Sequence, residues 1–192
     1  MAKRTKTETP AHTTHIVCNQ SERRGPILAI CVHSTESQDL PGTTDDLRAI
    51  RNWFDNPASQ ASSHIGIDGQ GNTEQWVYAP KKAWTCGAAN SFTLNIEFIG
   101  RAAQPRKDWE EAQLKQGARW AAYWGHRFGI PMVKGAVIDV HGACVCVHKG
   151  IIRHSDVTAA GFGSHTDPGP NFPMERFIDL GQWYFKHGWE KA

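Results

Sequence analysis

Pro26-Ile27-Leu28-Ala29-Ile30-Cys31-Val32-His33-Ser34-Thr35 is the stretch on which the fold turns. Its apolar residues run without a break from Ile27 to Val32. A short, continuous apolar run is the mark of a strand buried on both faces in the middle of a sheet. The run ends at His33, so an imidazole is expected at the carboxyl end of that strand, where a side chain can project into a cleft.

Downstream, Thr43-Thr44-Asp45-Asp46 opens a helix. Thr43 is the expected N-cap, and the two aspartates suit the positive end of the helix dipole. Leu47, Ile50 and Phe54 mark its inner face, and Asn56-Pro57 ends it. Ser62–Gly71 and Glu74–Tyr78 read as a strand, a turn and a return strand. Leu94–Ile99 alternates, with Leu94, Ile96 and Phe98 on one side and Asn95, Glu97 and Ile99 on the other. Asp108 and Glu111 have capping-box spacing ahead of a helix carrying Leu114, Gly117, Ala121, Trp124 and Phe128, stopped by Gly129 and Pro131. Ala136–Val140 and Ile151–His154 read as two more strands, and Pro173 starts a last helix with Phe177, Leu180 and Tyr184 inward. Strands alternating with helices predict a single α/β domain with a mixed central β-sheet flanked by helices. Residues 1–24 are polar and are expected as a flexible tail or edge segment, leaving 25–192 as the domain.

Bulk properties exclude several classes of function. The 192 residues carry a formal charge of only +2, with no basic block, which argues against a nucleic-acid partner. No apolar run is long enough to cross a bilayer, and the basic N-terminus has no apolar segment after it, so neither membrane insertion nor a secretory signal peptide is expected. The odd number of cysteines, Cys18, Cys31, Cys86, Cys144 and Cys146, argues against a full disulfide framework. His141, Cys144, Cys146 and His148 are one candidate metal cluster, but Cys-x-Cys is tight for zinc, and a flexible hairpin is the better reading. Taken singly, His33 and His154 are ordinary half-buried histidines, and Asp167 before Pro168-Gly169 is an ordinary turn residue.

The pieces mean more together. Val32-His33-Ser34-Thr35, Ser63–Gly71, Ala83-Trp84-Thr85-Cys86-Gly87, Asn95–Gly100, Arg153–Val157 and Thr166–Pro170 stand in an order and at separations that resemble the zinc-dependent N-acetylmuramoyl-L-alanine amidases of the type-2 family. That family includes phage endolysins and is related to peptidoglycan recognition proteins. The resemblance covers about Ile27 to Phe172 and implies the amidase/peptidoglycan-recognition-protein-like fold. It implies that His33, His154 and Asp167 bind one Zn2+ per chain, leaving the fourth corner of a tetrahedron open, as in catalytic sites. It implies that Glu97 is the catalytic carboxylate. The reaction implied is hydrolysis, by a zinc-activated water, of the amide between N-acetylmuramic acid and L-alanine in bacterial peptidoglycan.

Three departures from the family pattern stand out. His165 occupies a position that is lysine in many relatives. Protonated, it would steady the developing charge, but it would lose that proton near neutral pH. Ser63 stands where some relatives place a tyrosine, and Thr85 where a histidine often follows the tryptophan. Trp84 and His64 are expected to line the substrate groove, with His64 outside the zinc set. A phage lysis enzyme, acting as a monomer and held in the host cytoplasm before release onto the wall, is the leading expectation. The alternatives are a cytosolic amidase recycling soluble muropeptides and a non-catalytic peptidoglycan-binding module.

Overall fold

The computed structural model describes residues 9–190. A six-stranded mixed sheet forms the centre, made of β1 (Thr13–Thr14), β3 (Ala29–Ser34), β4 (Ile65–Ile67), β5 (Thr73–Gln75), β7 (Thr93–Phe98) and β10 (Gly150–Arg153). Its order is β1-β5-β4-β7-β3-β10, parallel throughout except for the antiparallel β4–β5 hairpin. β2 (Gln20–Glu22) pairs antiparallel with β6 (Lys81–Ala83), and β8 (Ala136–Val140) with β9 (Ala143–His148). Four helices complete the fold: α1 (Asp45–Phe54), α2 (Glu111–Phe128), α3 (His154–Ala159) and α4 (Met174–His187).

β3 is an interior strand between β7 and the edge strand β10, second from the edge rather than in the middle, and it is buried along its whole length, as its apolar run requires. β7 beside it uses its alternation to serve two layers. Leu94, Ile96 and Phe98 enter the main core with Leu114, Ala118 and Ala121 of α2 and Phe177 and Leu180 of α4. Asn95 and Glu97 face the opposite side. Gly117 lets α2 approach this strand: a Cβ there would meet the Phe98 ring at 2.5 Å. Overpacking of that kind costs about 1–3 kcal/mol.

Some expectations need correction. α2 begins at Glu111 with Glu110 as its N-cap, and Asp108 ends a separate 3-10 turn, so no capping box forms there. α1 begins one residue later than expected. Thr44 is its N-cap, while the Thr43 hydroxyl accepts the amide of Asp45. Ala136–Val140 is a strand, but outside the central sheet: its partner is β9.

Of the stretch expected as a tail, residues 1–8 lie outside the described residues. The rest is tied down. β1 pairs with β5 at the sheet edge, Val17 and Asn19 are buried, and Asn19 Nδ2 donates into a cluster of acceptors that includes Phe54 O and Asn56 O. Arg23 donates to the carbonyls of Ala79, Lys81, Asn90, Ser91 and Thr93. Polar residues here satisfy backbone acceptors inside the fold, so polarity misread as solvation moved the boundary to residue 25.

Candidate metal centre and cleft

The parallel strands point their carboxyl ends at one place, where open α/β sheets bind ligands. His33 is the penultimate residue of β3 and Glu97 the penultimate residue of β7, and the two are register partners. His154 follows β10 directly as the first residue of α3. Asp167 comes from the loop before α4, anchored where its carbonyl accepts the amide of Ser155. Gly169 in that loop has φ +86, and a Cβ there would fall 1.9 Å from the Ala102 carbonyl oxygen, so the chain passes only as glycine.

His33 Nδ1 stands 3.1 Å from His154 Nδ1 and 3.1 Å from Asp167 Oδ2, and His154 Nδ1 is 3.3 Å from that same oxygen. All three residues are buried. A tetrahedral zinc with bonds of about 2.0–2.1 Å has donor–donor edges of about 3.3–3.4 Å. The triangle is therefore sized for such an ion. His33 Nε2 lies 3.1 Å from Asn95 Oδ1 and donates its proton there, which leaves Nδ1 as a lone-pair donor, the usual outer-shell arrangement of a metal-binding imidazole.

Burial and neighbouring charge shift each of the three groups. Burial works against a charge on His33, but the Asp167 hydrogen bond and the charges of Glu97 and Asp167 outweigh it and raise the imidazole to about 10. Burial lowers His154. Burial alone would raise Asp167, yet hydrogen bonds from His154 and His33 hold it well below the usual carboxylate range.

Glu97 is 7% exposed, and its Oε2 has no hydrogen-bond partner. Burial, first of all, pushes its carboxyl up to about 7, with His33 opposing and Asp167 and Glu36 assisting. It faces a cleft of about 240 Å³ lined also by His33, His154, His165 and Asp167, by Trp53 and Phe54 of α1, and by Ser62, Trp84 and Thr85.

His165 is largely exposed, stacked on His154 with ring centroids 4.0 Å apart, its Nδ1 3.4 Å from Asp167 Oδ1. Trp84 is half-buried in the cleft wall, and its indole N–H donates to Ser21 Oγ at 3.0 Å. His64 does not reach the cleft, which corrects its expected substrate contact. It is fully buried; Nδ1 accepts the amide of Asn95 at 3.0 Å, and Nε2 lies 3.3 Å from the Lys81 carbonyl. Ser63 is likewise buried, donating to Asn95 O.

Asn95, Glu36 and Trp53 escaped the sequence reading. Asn95 shares a face with Glu97 two residues on, a period-two signal that could have found it. Glu36, at φ +57, accepts from Ser34 Oγ and the Ala102 amide beside the cleft. The cluster weighed around Cys144 does not assemble. Among the described residues, metal donors converge only at His33-His154-Asp167 and at Cys31-His33-Cys86.

Comparison with known proteins gives one consistent answer. The profile of the N-acetylmuramoyl-L-alanine amidase family matches residues 23–170. N-acetylmuramoyl-L-alanine amidase A of Achromobacter lyticus is 27% identical over 129 residues, 67% of this chain and 72% of that protein. Among solved structures, the Staphylococcus aureus hydrolase AmiA, crystallised with its ligand, superposes with a TM-score of 0.67 at 17% identity, covering 93% of this chain and 85% of that one. The endolysin LysCS of Clostridium intestinale superposes with a TM-score of 0.60 at 16% identity, covering 90% and 95%. At those identities the superpositions establish the shared α/β fold.

Proposed function

Because the chain belongs to the N-acetylmuramoyl-L-alanine amidase family, we propose that its cleft hydrolyses the amide between N-acetylmuramic acid and L-alanine of peptidoglycan with one zinc ion held by His33, His154 and Asp167. The supporting observation is the convergence of those three donors beside a buried carboxylate with a free oxygen. Bound there, zinc supplies Lewis-acid chemistry: it makes water nucleophilic near neutral pH and polarises a carbonyl.

The chain's own residues do the rest. Asn95 holds His33 in one tautomer and one ring orientation. Glu97, with its carboxyl raised to about 7, is poised to take a proton from the attacking water and to return it to the departing amine of L-alanine. Burial of His33, His154, Asp167 and Glu97 lowers the local dielectric, which strengthens each of these interactions. His165, protonated, donates toward the oxygen on which negative charge develops. Trp84 and Trp53 offer flat apolar walls for a sugar ring or a peptide stem.

The biological setting we infer is lysis by a phage enzyme, supported by the endolysin among the structural neighbours. Among the described residues no helix is long and apolar enough to cross a membrane. Incubation with intact sacculi tests this setting. Turbidity loss with release of free L-alanine amino groups supports a lytic enzyme. Cleavage confined to soluble muropeptides would assign recycling instead, and binding to sacculi without new amino groups would leave a recognition module.

A further inference from the structure

Four of the five cysteines meet in one small apolar cluster, separate from the main core. Cys31 and Cys86 are fully buried in it, with sulfurs 3.5 Å apart and hydrogen-bonded to each other across 55 residues of sequence. Cys144 and Cys146 of β9 pack at its edge. Cys31 stands two residues before His33 on the same face of β3. Cys86 stands two residues after Trp84, just ahead of a 3-10 turn. The sulfur pair therefore joins the strand that carries a metal-centre histidine to the wall of the cleft.

The same sulfurs and His33 lie close enough to suggest a second metal site. That reading fails on the histidine: Nδ1 faces His154 and Asp167, and Nε2 faces Asn95. Two sulfurs remain with no third donor. A disulfide needs only the pair, brought to about 2.05 Å by a shift of roughly 1.5 Å between short side chains.

We propose that Cys31 and Cys86 are a redox modification site, forming an intramolecular disulfide when the protein leaves a reducing compartment for an oxidising one. With a hydroperoxide as oxidant, one thiolate attacks the peroxide oxygen, giving a sulfenic acid and releasing water. The second sulfur then attacks the sulfenic sulfur, forming the S–S bond and expelling a second water. Two thiols and one hydrogen peroxide become one disulfide and two waters. A peroxide is close to water in size and needs only a local opening of residues 84–86 to reach Cys86. The cross-link would fasten the Trp84 wall to β3 and close a long loop, which stabilises chiefly by restricting the unfolded chain. The change of compartment rests on the wall-hydrolase reading, since disulfides persist outside the cytoplasm; the cross-link itself does not depend on it.

The test uses the zinc-loaded protein bearing Cys18→Ser, Cys144→Ser and Cys146→Ser, with wild type in parallel. Each is reduced, treated with stoichiometric hydrogen peroxide under native conditions, alkylated after unfolding and mapped by mass spectrometry. The expected result is a Cys31–Cys86 linked peptide in both proteins. Oxidation should raise Tm by on the order of 5 °C or more, reversibly with dithiothreitol and not in Cys86→Ala. Recovery of both sulfurs alkylated, pairing of either with Cys144 or Cys146 in wild type, or an unchanged Tm in the linked protein overturns the proposal. None of these readouts uses turnover, so loss of the amidase reading would not imitate them.

Discussion

His33 and His64 are two buried imidazoles on either side of β7, joined through Asn95, and their surroundings treat charge in opposite ways. Asn95 accepts a hydrogen bond from His33 Nε2 on its side-chain oxygen and donates its backbone N–H to His64 Nδ1. His33 looks toward Glu97 and Asp167, which raise it to about 10. His64 is lowered to about 3, by burial first and then by Arg23, whose guanidinium lies 3.2 Å from Nε2. The side chain is the same and so is the burial. Neighbouring charge decides which histidine seeks a cation and which one refuses it. One end of the chain of contacts is the proposed metal centre and the other is an uncharged strut.

The largest effects should come from the cation-seeking end. Glu97→Ala should retain about one zinc per chain while kcat falls by about 10²–10⁴, the usual worth of a positioned acid–base group. Asp167→Ala should lose both activity and metal, because it removes a ligand of the triangle. Metal analysis beside muropeptide mass spectrometry separates the two. An active Glu97→Ala enzyme would remove Glu97 from the chemistry, and a Glu97→Ala protein without zinc would make it part of the metal site.

Asn95 is where the two histidines communicate, so it sharpens the comparison. Asn95→Leu should weaken zinc affinity by about 10–100-fold, measured by competition with a chelator, because the His33 ring loses the acceptor that fixes its tautomer. An unaltered affinity would mean that β3 orients His33 without help.

This contrast also explains what could be read in the sequence. β3, β7, α1, α2 and α4 were legible because their apolar patterns report burial directly, whereas α3, which opens at His154, was read as the end of a strand. His33, His154, Asp167 and Glu97 were legible only as a set, through family resemblance, since nothing in a single chain says that residues 33, 97, 154 and 167 meet. His64 was misplaced because a strand histidine inside a motif resembles a cleft residue until the partners of its nitrogens are known. Arg23 was invisible for the opposite reason. It lies in polar sequence, and the five carbonyls it serves come from segments dozens of residues away.

The strut end should show itself in stability against pH. His64 is lowered from 6.5 to about 3, so below pH 6.5 the unfolded chain binds a proton that the folded one refuses. Its contribution is present above pH 6.5 and is lost as pH falls toward 3. Between pH 7 and pH 5 the loss is about 2 kcal/mol. Glu97, raised from 4.5 to about 7, has the opposite sign in this window, gaining stability as pH falls. His33, raised from 6.5 to about 10, makes its full contribution below pH 6.5 and loses it as pH rises from there to about 10, so most of its slope lies above this window and is common to both proteins. The informative quantity is therefore the difference between zinc-free wild type and zinc-free His64→Gln in urea unfolding at the two pH values. The variant should be less stable at pH 7 and close part of that gap by pH 5; parallel profiles would show that folding does not lower His64.

The smallest effect, and the finest probe of the centre, is at His165. The side chain is largely exposed, stacks on His154 and approaches Asp167 Oδ1 at 3.4 Å, so it can reach the cleft while staying solvated. A side chain this exposed contributes little to stability, and its removal should leave zinc content and Tm unchanged. Its worth lies in charge delivered to the transition state, and an imidazole carries that charge only while protonated. A lysine at the same place would keep its proton well into alkaline pH. His165→Lys should therefore extend the alkaline limb of the kcat/KM profile upward, with at most a few-fold change near pH 6. Should wild type hold a flat profile to about pH 9 that the substitution does not alter, His165 is only a lid over His154, and the charge on the oxyanion is met by the metal centre alone.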